Sequence, residues 1–348
     1  MELNSLLVEQ KDFHQILSTH GEAQWDHILQ ELVPRVHQVD QDATLIWFSF
    51  WPLKLARSLQ DSADPAVTAK LLELDGKYRL DQQMDSSVAF FYAFRYWGIV
   101  KKAIFDVSES KIVSAEMNLL NVIRSVASQV ADFCQIDESV VLGITAAGFM
   151  MFEQVGVSAF KSNLDRDPIV KPAPSIDQVL RARKDKKKGG ILRLFGIQNG
   201  KYQVTYEEQN PDGIFTAMLG QDLSMASSKD KRDFRSKDRR RVYGPIPAEC
   251  RSGACGYCWI GVTDGKDKLS ELAAFEKKRL AHFGYLEKDA DVGSHPHIRL
   301  SCQAKCQGDV TIVIPPWNGV LNSRRSRLHT PSIQAKAQIR QDEKDIES

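Results

Sequence analysis

Three cysteines fall within nine positions of the stretch AECRSGACGYCW, residues 248–259, and this density constrains the fold more than any other feature of the 348-residue chain. Cys250, Cys255 and Cys258 are spaced C-x4-C-x2-C, and Cys302 follows after 43 intervening residues. The N-terminal MELNSLLVEQKDF lacks the basic region and long apolar stretch of a secretory signal, so a reducing cytoplasm is the expected compartment. There, clustered thiols argue for metal ligation or redox chemistry rather than structural disulfides.

The spacing is that of a plant-type [2Fe–2S] centre, with three thiolates in one loop and a distant fourth. Each iron needs four sulfurs, two of them bridging sulfides, so the protein supplies two thiolates per iron. The intervening Ser252, Gly253, Ala254 and Gly256 let the backbone approach closely and turn its N–H groups toward negatively charged sulfur. A structural zinc site also uses four thiolates but generally pairs two short knuckles, and here one C-x2-C is merely extended by a third Cys. A Rieske centre would interleave histidines with the cysteines. Cys306 competes with Cys302 for the fourth position, and it adjoins Gly308 and Asp309, which read as a turn.

CRSGACGYC resembles the cluster loop of plant-type [2Fe–2S] ferredoxins, including the Arg after the first Cys and the Gly before the second. RLSCQ followed by GDVTIVIPP is similar to the final Cys and closing strand of that family, which favours Cys302. The resemblance covers about residues 190–320. It implies a β-grasp domain that holds a [2Fe–2S] cluster on Cys250, Cys255, Cys258 and Cys302. The basic insertion SSKDKRDFRSKDRRRVYG departs from the family pattern and argues against a strongly acidic docking face.

Hydropathy changes period along the chain. Residues 1–160 repeat apolar positions at helical spacing, as in EAQWDHILQELVPRVHQV and the long DQQMDSSVAFFYAFRYWGIVKKAIF, and predict an all-α domain of about five to seven helices. Residues 161–190 mix prolines, lysines and a Gly pair and predict a linker with one helical turn at SIDQVL. Beyond them ILRLFGIQNGKYQVTY places Asn199-Gly200 between alternating runs, a hairpin signal. IFTAMLGQDL reads as helical, CWIGVT as extended, SELAAFEKKRLAHFG as a helix capped by Ser270, and DVTIVIP as extended. The expected organisation is therefore multi-domain: an N-terminal all-α domain (1–160), a linker (161–190), an α+β β-grasp domain (191–320) and a flexible tail (321–348). Charge follows the same division, with 12 Lys and Arg against 21 Asp and Glu in residues 1–160 and 34 against 24 in the remainder.

No apolar run approaches the roughly 20 residues of a membrane span. His295 and His297 lie close to Cys302 in sequence, although such residues are more often polar positions of a surface loop. Cys134 reads as core packing, and His14, His20, His27 and His37 match no metal motif. The aromatic run FFYAFRYW, residues 90–97, reads as buried helix with room for a pocket or interface. The basic stretches at 181–188 and 229–241 read more simply as solvated loops, or as a docking surface for an acidic partner, than as a nucleic-acid site. No catalytic nucleophile, flavin or nicotinamide fingerprint stands out. The sequence thus predicts an electron carrier or redox subunit working with a reductase or acceptor protein, with a redox-responsive adaptor as the alternative.

Overall fold

The computed structural model describes residues 21–50, 63–64, 83–109, 118–164, 174–192, 200–238, 240–282, 285 and 296–315. The proposed tail, the start of the N-terminal region, Asn199 and His295 lie outside the described residues, as do His14 and His20.

The N-terminal part is helical. In α1 (Glu22–Leu32), Trp25, Ile28 and Leu32 fall on one face and are buried, and Pro34 converts its end into a 3-10 turn over Val33–Arg35. After α2 (Gln41–Phe50), the segment predicted as one long helix is instead broken into α3 (Met84–Val88), a 3-10 turn (Tyr92–Tyr96) and α4 (Trp97–Glu109). The break has a distant cause. The buried Asp40 carboxylate accepts from the N–H groups of Tyr92 (2.6 Å) and Ala93 (2.8 Å), capping a new start there while Phe91 stays extended. Burial pushes the Asp40 carboxyl up to about 7, against the pull of those two N–H groups and of Arg183.

Two longer helices complete this layer. Asn118 caps α5 (Leu119–Cys134), whose Leu119, Val122, Ile123, Val126 and Val130 form the buried stripe. Asp137 caps α6 (Glu138–Lys161), which kinks at Gly156, where φ is 75°. Cys134 ends α5 partly buried against the core, as expected. The segment predicted as a linker carries a 17-residue helix, α7 (Ile176–Leu192). Ser175 and Gln178 open it by exchanging side chain and backbone hydrogen bonds, a capping box that outweighs the lysine-rich composition.

The C-terminal part is built on a mixed sheet of five strands in the order β2-β1-β5-β3-β4, with β1 (Lys201–Thr205) parallel to β5 (Val310–Val313) and the other pairs antiparallel. β2 (Ile214–Met218) corrects the helical reading of IFTAM. Phe215 and Ala217 point inward and their neighbours outward, and the pairing with β1 decides a segment too short to fix its own period. The hairpin is therefore β1–β2, turning at 206–213, with Gly200 at its open end. Asp222 caps the short α8 (Leu223–Ser227). β3 (Trp259–Asp264) pairs with β4 (Ile298–Leu300), and α9 (Ala274–His282) starts later than predicted, because the Ser270 hydroxyl accepts from Lys305 N–H instead of capping.

Helices and sheet share one hydrophobic cluster running from Trp25 to Ile314. They approach closely at Gly261 of β3, where a Cβ would come within 2.5 Å of Ile46 on α2. Arg183 of α7 reinforces the joint, donating to Glu208 (2.9 and 2.7 Å) and to the Val39 carbonyl (3.0 Å).

Candidate metal centre

The register of β3 and β4 explains how distant cysteines meet. Trp259 lies opposite Leu300, and the pairing continues one step outward as Ser301 N–H donates to the Cys258 carbonyl (2.9 Å). Cys258 therefore leaves β3 at the point where Cys302 follows β4. Both are buried, and the Cys258 thiol donates to the Cys302 sulfur. This bond, together with burial, holds the Cys258 thiol well above its ordinary range. The same bond draws Cys302 down, against burial and with help from the Gln303 amide.

The other two predicted ligands pair in the same way. Cys255 N–H donates to Cys250 Sγ at 3.3 Å, and the Cys255 thiol also donates to that sulfur. Burial would raise Cys250, but the donors from Ser252 and Cys255 outweigh it and bring the thiol down to about 6. Cys255 is pushed up to about 11, by burial first and by its bond to Cys250 second. The two pairs sense each other, since charge on Cys250 raises Cys302.

The connecting loop bends through residues of positive φ: Arg251 (54°), Gly253 (76°) and Gly256 (67°). At Gly253 the requirement is double, because a Cβ there would meet Phe275 at 3.0 Å and Gln303 at 3.3 Å. Its N–H faces the Cys302 sulfur, while Arg279 of α9 donates to the Gly253 carbonyl (3.3 Å) and to that of Ala254. The loop is thus held from behind by a helix and opens its N–H groups toward sulfur. Sequence reasoning missed Arg279 and also Gln303, whose amide donates to the Cys302 sulfur at 3.5 Å and which stood within the quoted RLSCQ.

Cys306 makes a different set of contacts. Its buried thiol donates to the carbonyl of Gly308 (3.2 Å), its own turn, and its N–H to Gln221 (2.9 Å). His297 faces the helical part, with Lys266 Nζ at 3.1 Å and Asp42 at 3.5 Å, rather than the thiols. Among the described residues, no group of three or more His, Cys, Asp and Glu side chains converges on the space of a single metal ion. The donor set is two pairs of sulfurs, which fits a binuclear group taking two thiolates at each metal better than one tetrahedral ion. No protein-family model, curated protein or solved structure matches this chain.

Proposed function

We propose that the chain binds one [2Fe–2S] cluster and passes single electrons between redox protein partners. The observation that carries this reading is the pairing of sulfurs from two separate segments, Cys250 with Cys255 and Cys258 with Cys302. Cys250 and Cys255 would hold one iron, and Cys258 and Cys302 the other. The cluster supplies the one-electron chemistry when bound. The order of elements from β1 to β5, with first and last strands parallel and the cysteine loop leading into β3, supports a β-grasp reading of the sheet.

The chain's own residues would orient the sulfurs and control access to them. Cys258 and Cys302 are buried, which excludes water from one side. Gly253 N–H and the Gln303 amide supply hydrogen bonds to sulfur, which govern reduction potential. The other side is open: Cys250 is exposed, and so are Tyr243 and Phe275 around the loop. A partner would dock there.

The test is anaerobic purification with iron and sulfide analysis, then EPR after dithionite reduction. About two irons and two sulfides per chain with a signal on reduction support the reading. A colourless zinc protein would sink it. A redox-responsive adaptor is the second reading, favoured by the shared core, since Gly261, which packs on Ile46 of the helical part, lies in the same strand that Cys258 leads into. Catalytic passage of electrons from a reductase to an acceptor separates carrier from adaptor.

A further inference from the structure

The aromatic run at 90–97 and the basic insertion at 229–241 have no part in the cysteine site, yet they meet at one place. A cavity of about 410 Å³ lies between the helical part and the sheet, with Phe90, Phe94 and Arg95 on one wall, Arg241 and Tyr206 on another, and β5 as its floor. Its volume falls within the range of small-molecule sites.

Its polar groups are poised rather than satisfied. The Arg95 guanidinium is fixed 3.7 Å over the Tyr92 ring, with Nε on the Tyr92 carbonyl (3.1 Å) and Nη1 on that of Pro174 (3.4 Å). Its Nη2 is buried and finds no partner among the described residues. Arg241 Nε is also buried without a hydrogen bond, standing 3.6 Å from the Asp238 carboxylate, beyond hydrogen-bond reach. Leaving two such donors dry is costly unless something accepts from them. The third arginine of the lining, Arg183, is matched bidentately by Glu208. Glu207, the remaining lining carboxylate, accepts from Asn210 (2.8 Å). Three arginines against two glutamates leave the lining one positive charge in excess.

We infer that this cavity binds a small aromatic carboxylate, whose ring packs against Phe90, Phe94 and Tyr206 and whose single negative charge accepts from Arg95 and Arg241. A carboxylate matches planar guanidinium donors, and a ring matches walls of Phe and Tyr. The site requires both parts of the chain, Arg95 from one and Arg241 from the other, which gives their shared core a purpose. It does not depend on the cluster: Thr263 of the lining lies near the end of β3, whereas Cys258 immediately precedes its start.

Isothermal titration of the full chain with naphthoate, and with neutral naphthylmethanol in parallel, tests the assignment. Naphthoate is expected to bind one per chain, at least about tenfold tighter than the alcohol, and Arg95→Gln to weaken it at least about tenfold. Ala89→Trp, at the exposed mouth of the cavity, should abolish binding without touching the core. No naphthoate binding at millimolar concentration, or equal binding of the alcohol, would overturn the inference. So would parent-like affinity in either variant, and if Arg95→Gln fails to fold, Ala89→Trp decides. Iron and sulfide measured on the same samples report separately on the cluster.

Discussion

Arg299 and Glu276 meet through two 2.9 Å hydrogen bonds, Nε to Oε1 and Nη2 to Oε2, with both side chains shielded from solvent. Glu276 Oε1 also accepts from Leu300 N–H at 2.8 Å, and Arg299 Nη1 donates to the Ser270 carbonyl at 2.9 Å. The pair clamps α9 to β4 and so fixes the strand end from which Cys302 departs. It also explains the Arg of RLSCQ: that residue does not touch sulfur but anchors the element that presents it.

Breaking this clamp from one side should be severe. Glu276→Leu leaves a guanidinium buried without its counter-charge, and a loss of about 3–5 kcal/mol is expected in urea unfolding. Replacing both residues by Leu removes the stranded charge along with the pair, so the double variant should recover much of that loss. A double variant no more stable than Glu276→Leu would show that packing, not charge, fails there.

Much of the cysteine site could be read along the chain because its proposed ligands are local: three lie in one loop, and the fourth sits in a recognisable strand end. What escaped was set by contacts far apart in sequence. Asp40 breaks a helix at Tyr92, 52 residues away, and no local pattern around FFYAFRYW announces it. IFTAM fits both a helix and a strand over five residues, and only pairing with β1 settles it. The start of α7 was legible in SIDQ, whose Ser and Gln make the capping box, but composition argued the other way.

Single substitution separates the two candidate fourth ligands. Cys302→Ser removes the sulfur that receives Cys258, and iron content and the reduced EPR signal should both fall steeply. Cys306→Ser replaces a thiol that serves its own turn at Gly308 and should leave both within error of the parent. The opposite pattern would move the ligand to Cys306.

Two glycines distinguish backbone strain from steric fit. Gly220 and Gly253 have φ of 73° and 76°, yet a Cβ on Gly220 meets nothing within 4 Å, while one on Gly253 meets Phe275 at 3.0 Å. Alanine at either position pays about 1–2 kcal/mol for the left-handed backbone. Only Gly253→Ala should also displace the loop and lower the iron bound per chain, measured beside the unfolding midpoint. Equal iron in both variants would mean the loop tolerates displacement.

At the joint between helices and sheet, Gly261→Ala forces a methyl toward Ile46, at a cost of about 1–3 kcal/mol by overpacking. Ile46→Ala alone should cost about 2–5 kcal/mol through the cavity it leaves. The added methyl of Gly261→Ala partly fills that cavity, so the double variant should be at least about 0.5 kcal/mol more stable than the sum of the singles requires. Strict additivity in urea denaturation would mean the two parts do not press on each other at this point.

Glu153 gives the helical part a pH dependence of definite sign. Burial pushes its carboxyl up to about 8, with a hydrogen bond from Trp25 working in the opposite direction. In the unfolded chain a Glu titrates near about 4.3, so between that pH and about 8 the folded state binds more protons. Stability from this group therefore falls as pH rises through the window and is lowest above it. Glu153→Gln keeps an oxygen for the Trp25 indole but has no proton to lose. Its thermal midpoint should stay close to the parent near about pH 5 and exceed it near about pH 9, where its unfolding free energy should be larger by on the order of 2–4 kcal/mol. Midpoint curves that run parallel across this range would mean that Glu153 titrates in the folded chain as it does in the unfolded one.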